Sequence, residues 1–501
     1  MTAAPSRFFG NTVALVVATV LATALTLAQM KILAAHLPLA IFGLFASLRG
    51  LSLLVSMLAA NGFPQFLVRF IPEHAARGAR GAAARLSVLS VCATVALCSL
   101  LLAGVALFAG LFFRQVPVDE PRGPLLWWFA LTTLGVALKL VLYGGFNGLR
   151  RFGSQTVFET LSLGAQVTWM ALVADSLTLT RLFEITGVTS VATVVVAVPW
   201  FARSLSNDVA VAAPGNAGSA YGRYWVGALG LSIVALAFTD VDRWVLSNVL
   251  ALESLSLFHV ASRISRMANR FIAIPVLAFQ PEATRVHAEG RRGDLRIATH
   301  AFFKASVILA VLAAIAIMVY SGPLVLLASN REFMGARTTL CLLAAAVPLA
   351  AMTAPLTAVM KALDGVRAAL YCDLAWAGVY LLALVVLTRP LGVEGTGVAQ
   401  LAACTVQVFV AFRLATLRPE PRAAAAVLGK SLACGAGAFL PVVIVTRLGL
   451  PLAGQVLFAV PSTWLYLRLV RWSGVLSDEE RERLQNVIGA RRAALLAGWM
   501  P

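Results

Sequence analysis

The feature that most constrains this chain is a succession of apolar stretches, each about twenty residues long, separated by short polar turns. Coiled as a helix, such a stretch matches the hydrocarbon thickness of a bilayer. Backbone polar groups in hydrocarbon must be satisfied within their own segment, so the pattern predicts an all-α polytopic membrane protein. About fourteen spans are expected, over 11–34, 41–64, 86–110, 124–147, 157–175, 183–202, 224–246, 254–279, 300–320, 338–360, 368–388, 394–413, 423–446 and 452–470. The chain is 60% hydrophobic and 12% charged, where a soluble domain carries about 25% charged residues, so an aqueous multidomain protein is excluded. Cys92, Cys98, Cys341, Cys372, Cys404 and Cys434 all lie in apolar runs without CxxC spacing. The histidines show no helical i,i+4 pair, so no metal site is expected. No catalytic constellation stands out either.

The net charge of +18 would suggest nucleic acid in a soluble protein, but here it follows from the distribution of loop charge. Basic residues gather after the even-numbered spans: Arg69, Arg77, Arg80 and Arg85 after the second, Arg285, Arg291, Arg292 and Arg296 after the eighth, Arg413, Arg418 and Arg422 after the twelfth. Odd-numbered loops hold fewer. The positive-inside rule then places both termini in the cytoplasm. The first helix is too long for a cleavable signal and ends in no cleavage-type pattern. A short amphipathic helix is expected over 477–495, where Ser477 and Glu480 have capping-box spacing.

The sequence repeats weakly at an interval of about 210 residues. Phe70-Ile71-Pro72-Glu73, followed by Arg77, returns as Phe279-Gln280-Pro281-Glu282, followed by Arg285; both are expected as loops. Phe42-Gly43-Leu44-Phe45 returns as Leu255-Ser256-Leu257-Phe258, which brings Arg49 into register with Arg263 and Lys31 with Arg243. The matches fall in spans one and two and spans seven and eight, so the repeat is six helices, an even number, and its copies are parallel. The expected organisation is a first six-helix lobe over 1–222, a second over 223–420, and two further helices with a cytoplasmic tail over 421–501.

At these residues the chain resembles a family. Phe42-Gly43-Leu44-Phe45, the stretch Val68-Arg69-Phe70-Ile71-Pro72-Glu73, and Asp242-Arg243-Trp244-Val245-Leu246 look like the Wzx-type polysaccharide flippases of the multidrug/oligosaccharidyl-lipid/polysaccharide exporter superfamily. The resemblance covers most of the chain at the level of layout. It implies two six-helix lobes in a V shape and an isoprenoid-diphosphate-linked oligosaccharide carried from the cytoplasmic to the outer leaflet. The count of fourteen helices is similar to the lipid II flippase branch.

An Arg at the bilayer centre costs about 2.5–3.5 kcal/mol on insertion scales, so basic residues inside spans are candidates for function. Arg49 lies mid-span in the second helix and Lys139 deep in the fourth; Arg263, Arg266 and Arg270 share one face of the eighth at i, i+3 and i+7. An anionic diphosphate suits such groups as ligand. Snorkelling to the interface is the alternative, above all for Arg266 and Arg270. As repeat equivalents, Arg49 and Arg263 are expected to point inward towards a shared cavity. Asp240, Asp242 and Arg243 close the seventh span and form the candidate coupling site, with a local Asp–Arg pair as the alternative; the DxD they spell lies away from cytosolic sugar nucleotides. Glu159, Asp364 and Asp373 sit near helix ends and read as solvated or paired. Gln29, Gln166, Asn269 and Gln407 suit sugar hydroxyls or bonds between helices.

The leading function is thus a flippase working by alternating access, without a cofactor beyond a coupling proton or sodium ion. It would work in the inner membrane of a bacterium, its partners the bilayer, a polyprenyl-diphosphate-linked glycan, and polysaccharide polymerase and chain-length proteins, with no nucleic acid. A cation-coupled multidrug exporter is the second reading, but that would favour an acidic cavity. A membrane-bound polymerase or ligase would need a sizeable external loop carrying catalytic groups, and the odd-numbered loops are short.

Overall fold

The structure is a computed structural model that describes residues 5–76, 80–118, 120–149, 151–208, 241–288, 290–363, 366–447 and 452–477. In chain order the helices are α1 (Pro5–His36), α2 (Leu39–Ala60), α3 (Phe63–Ala76), α4 (Arg80–Leu107), α5 (Ala109–Phe112), α6 (Arg122–Gly148), α7 (Phe152–Leu172), α8 (Leu179–Asp208) and α9 (Val241–Leu246). They continue as α10 (Leu252–Ala288), α11 (Arg292–Val319), α12 (Ser321–Ala328), α13 (Ala336–Ala362), α14 (Val366–Leu391), α15 (Glu394–Leu414), α16 (Pro421–Arg447) and α17 (Leu452–Trp472). Among the described residues ten helices are long and apolar enough to cross a membrane. The chain is an all-α polytopic membrane protein. Among the helices that are long enough to span but lie outside these ten are α7, with Glu159 and Gln166, and α10, with Arg263, Arg266, Asn269 and Arg270. Their polarity belongs to the residues discussed below.

The expected span over 224–246 lies almost wholly outside the described residues, which pick up the chain again at α9. The tail expected over 477–495 lies outside them beyond Ser477. Two expectations change. The second span ends earlier, because Asn61 (φ 45°) and Gly62 (φ 76°) both take the left-handed conformation, with Asn61 N–H closing on Met57 O at 3.0 Å. The supposed loop after it is α3, and the two Phe-x-Pro-Glu segments are helical, one in α3 and the other in α10. Pro72 costs α3 a backbone hydrogen bond, but Leu67 and Ile71 pack with Val141, Leu142 and Phe146 of α6, and this apolar face holds the helix. At the end of α10, Ala283 does the same against Leu295, Phe302 and Val359.

The chain divides into two compact units: a first over Val17–Ser256, and a second over Leu257–Pro501 together with Met1–Val16. In the first, α6 is the central helix, packed by α2, α3, α4, α7 and α8. Association of helices in lipid depends on close backbone approach and polar bonds rather than on apolar burial. Both are present. A Cβ on Gly148 would stand 2.6 Å from Leu67 O, and one on Gly144 would strike the Pro64 backbone. Between α2 and α6, Ser52 Oγ and Thr133 Oγ1 share a hydrogen at 2.9 Å, and Ser56 Oγ donates to Thr133 O at 2.8 Å. Thr132 Oγ1 donates to Phe183 O of α8 at 2.9 Å. Such bonds average about 0.6 kcal/mol each in membrane proteins. Ser56→Ala is therefore expected to lower the Tm of the purified protein slightly, by the equivalent of ~0.6 kcal/mol; an unchanged Tm would remove this bond from the account.

In the second unit α11 and α13 pack together, α13 carries α15, α15 carries α14, and the α16–α17 hairpin sits on α11. Fully buried Tyr466 of α17 donates through its Oη to Ile308 O of α11 at 2.8 Å. Ala424, Phe439 and Val442 of α16 join the same core. The last two helices are thus built into the core of the second unit.

Candidate functional site: a basic seam between α2, α6 and α7

In the first unit the sequence-predicted Arg49 and Lys139 act on one another. The charges that bear on the Lys139 ammonium are Arg49, which repels it, and Glu159, which attracts it. Lys139 is largely withdrawn from solvent and its Nζ donates to Ser162 Oγ of α7 at 3.4 Å. The guanidinium of Arg49 lies 5.9 Å from the centre of the Phe45 ring one turn earlier, at cation–π range. Phe45 in turn meets Phe183 edge-on at 5.6 Å, and Phe183 meets Phe129 at 5.7 Å, so an aromatic ladder fixes the base of Arg49.

Spacing explains why these groups converge. Lys139, Tyr143 and Asn147 follow at i, i+4 and i+8 and line one face of α6; Glu159, Ser162 and Gln166 line one face of α7 at i, i+3 and i+7. The α7 face is its inward one, because Ser162, Gln166 and Met170 are buried while Val157, Leu161 and Leu172, on the opposite side, are 56–80% exposed. Glu159 is exposed although it belongs to the inward stripe, so the stripe opens at that position. This agrees with the expectation that Glu159 is solvated or paired. Tyr143 Oη, Asn147 Oδ1 and Gln166 Oε1 are buried and take no hydrogen bond among the described residues. A buried polar atom without a partner costs about 1–3 kcal/mol, so these groups add to the cost already carried by the two cations. From α1, Gln29 Nε2 donates to Met170 Sδ at 3.6 Å and closes the seam at one end.

The candidate coupling residues lie elsewhere in the first unit. Asp240 is outside the described residues. Asp242 and Arg243 sit in α9, which packs on α2, and both are buried, Arg243 completely. Trp244 of the same helix stacks obliquely on Phe112 at 5.9 Å. The turn after α9 is tied down by Gln115 Nε2, which donates to Ser247 O at 2.6 Å, and by Arg114, which donates to Asn248 Oδ1 at 3.0 Å.

In the second unit Arg263 and Arg266 are half-buried on α10 and Arg270 is exposed, on the face that begins with buried His259. Gln407 bonds between helices and Asp373 is paired, as expected: Gln407 Nε2 of α15 donates to Asp373 Oδ1 of α14 at 3.2 Å, and Thr353 Oγ1 of α13 lies 3.4 Å from Gln407 Oε1. Asp364 is outside the described residues. An apolar cavity of about 650 Å³ is lined by Ile272, Leu309, Ile317, Tyr320, Leu324 and Leu327 among others.

No family model matches the sequence, and neither does any curated protein. Solved structures do match it in fold. The lipid II flippase MurJ in its inward closed conformation superposes with a TM-score of 0.67 at 10% identity, over 92% of this chain and 97% of that one. An inward-facing multidrug resistance MATE family transporter of the MOP superfamily gives 0.60 at 14% identity, over 79% and 92%. A MOP superfamily transporter from Pyrococcus furiosus Vc1 (DSM3638), described as having a binding pocket of reverse polarity that suggests a different function, gives 0.58 at 16% identity, over 83% and 97%. The chain is similar in fold to transporters of the MOP superfamily, over most of its length.

Proposed function

We propose that the protein is a transporter of the MOP type whose cargo is an anionic lipid-linked oligosaccharide, an isoprenoid-diphosphate glycan moved between leaflets by alternating access. The observation that carries this reading is the pair Arg49 and Lys139, cations on the packed helices α2 and α6 whose charges act on one another, with a serine hydroxyl on Lys139 and unsatisfied phenol and amide groups along the same seam. Two like charges held together in a low-dielectric interior repel, and an anion relieves both. The hydroxyl, phenol and amide groups suit a sugar. The similarity to MurJ supports a lipid-linked cargo, and the neighbour with a pocket of reverse polarity supports the idea that this fold accepts cargo of different charge. Wzx-type flipping is the specific form we favour. A cation exporter is the second reading, since MATE transporters share the fold; the net positive seam argues against it.

The test is transport in proteoliposomes containing the full chain. A fluorescent polyprenyl-diphospho-sugar is expected to cross between leaflets in a protein-dependent way, while a lipophilic cationic dye is not. Dye export without lipid movement would overturn the assignment in favour of the exporter. The orientation proposed with it, both termini cytoplasmic, is checked by fusions: reporters placed after Pro501 and near Gly290 should both read cytoplasmic, and an external reading at either would refute it.

A further inference from the structure

The last helix presents two opposite faces. Ser462, Tyr466 and Val470 follow at i, i+4 and i+8 on α17 and are buried against the second unit. On the other side Leu457, Val460 and Trp464 are exposed, and Arg468, Arg471 and Trp472 continue the same stripe to the helix end. A stripe that runs from leucine and valine into tryptophan and arginine is the lipid-facing side of a spanning helix, with its end in the headgroup layer. Lipid is therefore what covers it, and the stripe carries charge.

The cations on it are held in place. The Arg468 guanidinium lies 5.1 Å from the centre of the Trp464 ring, one turn back along the helix. It is laid along the stripe on an aromatic surface, whereas simple snorkelling would carry it out past the helix end. From α16, which packs on α17, exposed Lys430 donates through Nζ to Ser473 O at 3.0 Å, just past the end of α17. That bond uses one of the three N–H groups of the ammonium. Neither α16 nor α17 contains an aspartate or a glutamate, so the hairpin supplies no counter-charge of its own.

We infer that this end of the α16–α17 hairpin binds the headgroup of an anionic bilayer phospholipid, phosphatidylglycerol, with the phosphate on Arg468 and the net charge favoured by Lys430 and Arg471. A guanidinium offers its N–H groups to a phosphate as a planar fork. A choline headgroup brings the same phosphate together with a cation, which Lys430 and Arg471 repel; a glycerol headgroup brings only hydroxyls. The discrimination is thus by net charge. In the proposed orientation the site lies in the cytoplasmic leaflet. It is separate from the seam of Arg49 and Lys139 and does not depend on what the protein transports.

The experiment is native mass spectrometry of the purified full chain, released from micelles that hold equal amounts of dioleoyl-phosphatidylglycerol and dioleoyl-phosphatidylcholine. The first lipid retained is expected to be phosphatidylglycerol, bound about tenfold more tightly than phosphatidylcholine. Arg468→Gln should lower that affinity about tenfold, as the loss of a charge-assisted contact. Lys430→Gln should lower it about fivefold, as the loss of one basic residue near a headgroup. Trp464→Leu keeps every charge and the apolar stripe but removes the surface that aims the guanidinium, and should lower it about threefold. A patch acting by charge alone would not respond to that change. The control is Arg413→Gln. Arg413 lies 5.1 Å from the centre of the exposed Phe409 ring near the end of α15, a similar pair outside the hairpin, and its loss should leave the first lipid in place. If Arg468→Gln is not recovered as monodisperse protein, Trp464→Leu and Lys430→Gln decide. Equal retention of the two lipids by the unsubstituted chain overturns the site. An equal loss in Arg413→Gln overturns it as well, because the preference would then belong to the basic belt as a whole. Geranylgeranyl diphosphate added at the same concentration should not displace the phosphatidylglycerol; displacement that disappears with the same substitutions would overturn the assignment to a bilayer lipid.

Discussion

Gly144→Leu is expected to abolish recovery of folded protein. The helix α6 crosses α3 with the Cα of Gly144 against Pro64, so that even a Cβ at this position would strike three backbone atoms of α3. Backbone cannot rotate aside as a side chain can. Room for an isobutyl group requires α3 to part from α6, which breaks the packing of Leu67 and Ile71 on Val141 and Phe146 and forfeits the second close approach at Gly148. Overpacking costs about 1–3 kcal/mol where side chains yield, and more where they do not. The control lies on α4, where a Cβ on Gly104 meets nothing within 4 Å. Gly104→Ala should be neutral or slightly stabilising, because Ala is favoured over Gly by ~1 kcal/mol within a helix. The measurement is the monodisperse fraction in size-exclusion chromatography after detergent extraction. A Gly144→Leu variant as monodisperse as Gly104→Ala would show that the α3–α6 contact is not a determinant of the fold.

The contrast between these two glycines also marks how far the sequence could be read. Membrane spans were legible, because twenty apolar residues have one solution in a bilayer. Arg49 and Lys139 were legible because a basic residue inside such a run stands out by its cost. Helix α3 was not: Pro64, Pro72 and a glutamate beside a basic stretch have the local chemistry of a loop, and the helix is held by the apolar face it lays on α6, which is tertiary information. The seam was legible only in part. Gln166 stood out as a polar residue in a span, but nothing in one helix shows that Ser162 will meet a lysine 23 positions earlier. Tyr143 and Asn147 could have been found from their i, i+4 and i+8 spacing with Lys139. Gln407 and Asp373 stood out as residues that bond between helices or pair, but that they meet one another and Thr353 was not legible, each group lying on a different helix.

Lys139→Met should abolish transport of the lipid-linked diphosphate without costing stability, and this pairing of effects is what separates a binding cation from a structural one. An ammonium withdrawn into a spanning helix is held against a desolvation cost of about 2.5–3.5 kcal/mol, and methionine of similar length removes it. The Tm of the variant should therefore be unchanged or higher. Transport should fall by at least tenfold, since a charge-assisted hydrogen bond to a ligand is worth about 1.5–3 kcal/mol, and each 1.4 kcal/mol is tenfold. Lys139→Arg should recover part of the loss, because it keeps the charge but brings a larger planar group to the 3.4 Å contact with Ser162. Arg49→Ala should lower transport to a similar extent. If both cations serve one diphosphate, the double variant should lose less than the product of the two single losses, because removal of the first already forfeits most of the binding that the second supports. Multiplicative losses would instead place Arg49 and Lys139 on separate tasks. A Lys139→Met variant that transports at the full rate, or one whose Tm falls in step with its transport, would make the lysine an architectural residue and leave the seam without an anion.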